Sequence, residues 1–101
     1  MRDSVTTTAG LLKISLADKL TFEDHDNFRE LLKLVSNNDH QRCEFDLAEL
    51  HAIDSAGLGM LMIAYETAQK VGMKFTLSRP SGQVERLLGI SEFDKVMNIT
   101  H

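Results

Sequence analysis

The stretch that decides the fold is Ile53-Asp54-Ser55-Ala56-Gly57-Leu58-Gly59, continuing into Met60-Leu61-Met62-Ile63-Ala64-Tyr65. A polar segment ends there and an apolar helix begins. The first residues of a helix carry unpaired backbone N–H groups and a partial positive charge. Such a junction accepts an anion, including a phosphoryl group made on the protein itself. Ser55 is the hydroxyl placed at it. Asp54 is suited to accept backbone N–H bonds and shape the turn. Gly57 and Gly59 lack Cβ atoms, which lets another backbone come close. On the residues alone, two readings stand side by side. Ser55 is an exposed, modifiable hydroxyl, or it is simply the cap of the helix, with the glycines serving packing.

Outward from the junction, the helix is predicted from about Ala56 to Val71, closed by Gly72 with Lys70 in the last turn. At about 100° per residue, Leu58, Leu61, Met62, Tyr65 and Ala68 fall on one side, expected to face the core. Ala56, Met60, Ile63, Thr67 and Lys70 fall on the other. That outer side is apolar over its first two turns, so Met60 and Ile63 are expected to be partner contacts beside Ser55.

Before the junction, Cys43, Phe45 and Leu47 alternate with Glu44 and Asp46, which predicts a strand over roughly 41–47 and a loop over 48–54. Upstream, Leu12, Ile14 and Leu16 alternate in the same way. Between these strands, Thr21 with Asp24 reads as an imperfect capping box, and Phe28, Leu31, Leu32 and Val35 follow helical spacing to a stop at Asn37-Asn38-Asp39. Strand, helix and strand make a βαβ unit, hence a parallel pair. The Thr-rich segment Ser4–Ala9 reads as an edge strand or loose arm, turning at Gly10. Downstream, Met73–Leu77 alternates as a strand and Arg79-Pro80 breaks it. Ser81 opens a helix that buries Val84, Leu87 and Leu88, and Val96–Ile99 forms a last short strand.

Length and composition bound the class. The chain has 101 residues, enough for one core, and its 43% hydrophobic and 26% charged residues are ordinary for a globular domain. A net charge of −4 without a Lys/Arg cluster argues against nucleic-acid or anionic-membrane binding. No run approaches the ~18–20 apolar residues of a bilayer span, and no apolar signal core follows Met1, so a cytoplasmic protein without membrane insertion is expected. Cys43, the single cysteine, has no partner for an internal disulfide, which fits a reducing compartment.

Asp54-Ser55-Ala56-Gly57-Leu58-Gly59 resembles the signature of STAS domains, the anti-sigma factor antagonist family. The resemblance extends over nearly the whole chain, through Tyr65, Gly72, Pro80, Val84, Leu87-Leu88 and the closing Ile90, Phe93 and Ile99. It implies an α/β fold filling residues 1–101 as a single domain, a mixed sheet of about five strands with helices packed on it. It also implies that Ser55 is phosphorylated by a serine kinase of the anti-sigma type and that a serine phosphatase reverses this. Two departures stand out. Ala56 replaces the second small hydroxyl residue common in the family, and the first strand is short and polar.

The partner surface expected on this basis is Asp54, Ser55, Ala56, Gly57, Gly59, Met60 and Ile63. The alternative function is that of a non-switching scaffold subunit in a transporter-linked or signalling assembly. Enzymatic readings are weaker. His51, Asp54 and Ser55 lie too close on one segment for a hydrolase triad, and no G-x-S-x-G elbow is present. Gly57-x-Gly59 is half a phosphate loop without its Lys-Ser/Thr ending. His25 reads as part of a solvated face, and His40 and His101 fall near the ends of elements and are expected to be free. No His/Cys spacing suggests a metal site, so neither catalytic residue nor cofactor is expected.

Overall fold

The computed structural model describes residues 1–37 and 39–101. Arg2–Thr8 (β1) and Leu11–Leu20 (β2) form an antiparallel hairpin about Ala9-Gly10. Gly10 has φ +76°, a conformation that costs glycine nothing. The Thr-rich segment is therefore an edge strand, with every residue exposed. A 3-10 turn over Phe22–Asp24 leads into helix His25–Ser36 (α1). Then come Arg42–Ile53 (β3), Ser55–Lys70 (α2), Lys74–Ser78 (β4), Gly82–Ile90 (α3), a second 3-10 turn over Phe93–Lys95, and Asn98–Thr100 (β5). Of the expected stop of α1, Asn38 lies outside the described residues.

The five strands lie in the order β1-β2-β3-β4-β5, with β1 antiparallel and the remaining pairs parallel. Crossovers of one hand between successive neighbouring strands carry their helices to one face of the sheet. Burial follows that rule. Leu12, Ile14 and Leu16 of β2, Cys43, Phe45 and Leu47 of β3, and Phe75 and Leu77 of β4 are buried together beneath Phe28, Leu31 and Val35 of α1 and Leu61, Ala64 and Ala68 of α2. Phe45 stacks against Phe28 at 5.8 Å between centroids and tilts against Phe75 at 5.6 Å. Burial, with the charge of Glu44 adding to it, pushes the Cys43 thiol up to about 12, so it packs as a small apolar group.

The segment 48–54, expected as a loop, is strand as far as Ile53. Two register shifts against β2 explain the difference: Ser15 pairs Asp46 but Ala17 pairs Glu49, and Asp18 pairs Leu50 but Lys19 pairs Ala52. Each shift inserts one extra residue in β3, so its buried side chains pass from Leu47 to Leu50 to Ile53, three apart instead of two. β2 likewise runs on to Leu20, past Asp18 at φ +71°.

The uncovered face of the sheet carries a polar cluster. Asp46 is buried and paired with Arg79 and Lys13, and its carboxylate also accepts the Ala48 N–H at 3.1 Å. Burial opposes its charge, but the Arg79 and Ala48 bonds and the two cations outweigh it and hold the carboxyl below its ordinary value.

Candidate functional site

The extended β3 delivers the junction to the carboxyl edge of the parallel strands, where open α/β sheets place their sites. Asp54 has the extended backbone of an N-cap (φ −104°, ψ −177°), and its Oδ1 accepts the Gly57 N–H at 2.8 Å. Ser55 is thus the first residue inside α2, not one position ahead of it, and is exposed. Because Asp54 caps the helix, the Ser55 hydroxyl is not spent on capping.

The other Asp54 oxygen, Oδ2, accepts the backbone N–H of Phe22 at 3.1 Å. One carboxylate therefore ties the start of α2 to the turn that follows β2. With both oxygens committed to backbone N–H groups, Asp54 does not orient an imidazole for a His51–Asp54–Ser55 triad.

The turn is itself braced. Asp24 donates its N–H to Thr21 O at 2.9 Å, and its carboxylate accepts Thr21 N–H at 2.8 Å and the Met1 amino group at 2.9 Å. Burial works against the charge on Asp24; the Thr21 bond and the amino group prevail and keep its carboxyl below the ordinary range.

Gly57 and Gly59 serve different ends. A Cβ on Gly57 would stand 2.3 Å from Leu20 O and 2.6 Å from Ile53 Cγ1, so its missing side chain lets α2 pack on the end of β2. The expectation that Gly57 admits a partner's backbone is corrected: it is buried and admits the protein's own. A Cβ on Gly59 would meet nothing within 4 Å, and Gly59 is exposed.

The phase of α2 is also corrected. Gly57, Met60, Leu61, Ala64 and Ala68 are its buried residues, while Ser55, Gly59, Ile63, Glu66 and Lys70 form the exposed stripe. Met60, expected outside, is 5% exposed and belongs to the core. Ile63, expected outside, is 47% exposed. Ala56, Leu58, Met62 and Tyr65 lie half-buried along the flanks. The inner face is set by the small residues Gly57, Ala64 and Ala68, which allow the helix axis close to the sheet.

Two further residues complete the site. Gln83 of α3 accepts the Ile53 N–H at 2.8 Å and donates to Ile53 O at 3.1 Å, pairing with the last residue of β3 as a neighbouring strand would. Sequence patterns carry no signal for such a side-chain bridge. Phe22, at 73% exposure, stands on the turn that Asp54 holds. Its place after the cap residue Thr21 located it on a first helical turn without marking it as exposed.

A concavity of about 810 Å³ lies elsewhere, among the starts of β3 and β4 and the end of α2, and is lined by none of the site residues. Among the described residues no group of three or more His, Cys, Asp or Glu is placed to hold a metal ion, and no helix is long and apolar enough to cross a membrane.

A family model described as STAS domain matches residues 4–101, and the chain belongs to that family. A STAS-domain containing protein of Pseudomonas aeruginosa (strain UCBPP-PA14) is 28% identical over 89 residues, covering 88% of this chain and 87% of that protein. Among solved structures, an anti-sigma factor antagonist from Mycobacterium paratuberculosis superposes with a TM-score of 0.86 at 17% identity, over 98% of this chain and 84% of that one. The Bacillus cell fate determinant SpoIIAA in its phosphorylated form gives 0.76 at 16% identity, over 99% and 92%. At these identities the likeness is one of fold: the mixed five-stranded sheet with three helices is that of the anti-sigma factor antagonists.

Proposed function

We propose that this chain is a phosphorylation-switched binding module. It docks through the Ser55 end of α2 onto an anti-sigma factor or similar serine kinase, and phosphorylation of Ser55 releases it. A serine phosphatase restores the binding form. The observation that carries this reading is the exposed Ser55 at the first position of α2, with its capping duty taken by Asp54. The existence of a phosphorylated form of a protein with this fold supports it. A kinase drawing on ATP places the encounter in the cytoplasm, where the reduced state of Cys43 is also at home.

The proposed contact surface is Asp54, Ser55, the exposed edge of Ala56, Gly59 and Ile63. Gly59 lets a partner approach the helix backbone, and Ile63 supplies apolar area one turn further along. A phosphoryl group on Ser55 brings about −1.5 to −2 charges. The helix start favours it by ~0.3–1 kcal/mol, and Asp54 and Glu49 oppose it, so the fold changes little. A partner packed over that edge has to strip water from a dianion, which costs several kcal/mol. Release then follows from local charge and bulk, without refolding.

The test is incubation of the chain with ATP and purified anti-sigma-type serine kinases from the same genome. The reading requires a phosphoryl group on Ser55, located by peptide mass spectrometry and absent from Ser55→Ala. A kinase that binds the chain tightly and never modifies it would favour the scaffold function instead.

A further inference from the structure

We propose that Phe22 is an apolar anchor of the same docking surface, inserting into a socket on the partner that is edged by basic side chains. The inference rests on the binding-module reading and names a contact that the signature does not contain.

Phe22 is 73% exposed, so most of its ring stands in water. Exposure alone does not set it apart, since Ile90 is 77% exposed; its place beside Asp54 does. Its backbone is not loose. The N–H is held by Asp54 Oδ2, and the turn is closed by the reciprocal Thr21–Asp24 bonds. An aromatic side chain with two torsions on a braced backbone loses little freedom on binding, which favours it as an anchor over a hydrophobe on a loose segment.

Its position is fixed relative to Ser55 through Asp54, which caps the helix with one oxygen and holds Phe22 with the other. The close approach of Gly57 to Leu20 O brings the two segments together from below. Phe22 therefore extends the Ser55 surface across the gap between the β2 turn and α2. The ring is flanked in sequence by exposed Glu23 and, one turn on, exposed Asp26. An aromatic ring with acids at its margin is complementary to an apolar pocket edged by Arg or Lys.

Ile90 provides the internal control. It is 77% exposed, as apolar, and lies at the far end of α3. The experiment titrates wild type, Phe22→Ala, Phe22→Leu, Ile90→Ala and Ser55→Glu against whichever purified anti-sigma-type serine kinase of the same genome binds the wild-type chain. The expected result is that Phe22→Ala weakens binding more than tenfold, Phe22→Leu recovers part of it, and Ile90→Ala matches wild type, all with unchanged thermal midpoints. Rising salt should narrow the gap between wild type and a Glu23→Gln, Asp26→Asn double variant. Wild-type affinity in Phe22→Ala, with binding lost in Ser55→Glu, would overturn the anchor and leave the switch standing. Equal losses in Phe22→Ala and Ile90→Ala would also overturn it. Failure of every such kinase to bind the wild-type chain would remove the binding-module reading and the anchor with it.

Discussion

On the side of α2 that faces the sheet, Gly57, Leu61, Ala64 and Ala68 are shut away from water; on the other, Ser55, Gly59, Ile63 and Glu66 stand in it. The two sides share residue types, since each has a glycine in the first two turns and a branched aliphatic soon after. What separates them is the distance to the next backbone. The inner glycine has Leu20 O where its Cβ would be, and the outer one has open space. The same omission of a side chain therefore brings α2 onto its own sheet at one position and leaves room for another protein at the other. A helix that is apolar all round over its first half is explained by two coverings, one permanent and one proposed to be reversible.

The sharpest way to break this comparison is to empty the inner side. Leu61 is fully buried, and Leu61→Ala is expected to cost ~2–5 kcal/mol through lost burial and a residual cavity. That is a large part of the ~5–15 kcal/mol a domain of this kind possesses. A denaturant midpoint equal to wild type would place Leu61 outside the core.

Gly57→Ala is the next largest. The added methyl meets a backbone carbonyl, which cannot swing aside as a side-chain tip can, so ~1–3 kcal/mol of destabilisation is expected in chemical unfolding. Gly59→Ala, two residues on, should act in the opposite direction, because alanine is the better helix former by up to ~1 kcal/mol. The pair is informative as a difference: equal effects on stability would mean that the two glycines do not face opposite ways. Gly59→Ala should still weaken partner binding, measured by titration.

The smallest effect on stability is expected at Ile63. Ile63→Lys should leave the thermal stability within about 0.5 kcal/mol of wild type, as substitutions away from buried features do, while reducing affinity for the partner. Met60→Lys, three residues earlier on the same helix, should lower stability clearly because Met60 is in the core. If Met60→Lys leaves the domain as stable as Ile63→Lys does, the phase of α2 is the one expected from the sequence and the buried face of Gly57, Met60, Leu61, Ala64 and Ala68 is wrong.

That phase is where sequence reading and structure part. From Ala56 to Tyr65 no charged or amide side chain interrupts the run, so nothing polar marks the outer side and the apolar pattern fits several rotations of the helix. The useful signal was size: Gly57, Ala64 and Ala68, spaced seven and four apart, lie on one face and point to close helix–sheet packing. The βαβ unit and the order of elements were legible because β2, the first half of β3 and β4 alternate. By contrast β1, exposed throughout, carries no alternation and left an edge strand and a loose arm equally open. Alternation failed where β3 inserts extra residues, and Leu47, Leu50 and Ile53 at threefold spacing imitated a loop. The signature located Ser55 at the helix start and Asp54 beside it. The second bond of Asp54, to Phe22, and the bridge from Gln83 to Ile53 depend on which segments the fold brings together, and no local pattern announces them.

A switch differs from a scaffold in that a phosphoryl group at Ser55 changes binding without changing the fold. The direct measurement is a calorimetric titration of the partner kinase with the unphosphorylated chain, the Ser55-phosphorylated chain and Ser55→Ala, alongside thermal unfolding of all three. A cost of ~3 kcal/mol would weaken affinity by more than about a hundredfold. The expected result is loss of that size for the phosphorylated chain alone, with Ser55→Ala binding like wild type and all three unfolding at similar temperatures. Equal affinities of the phosphorylated and unphosphorylated chains would contradict the account.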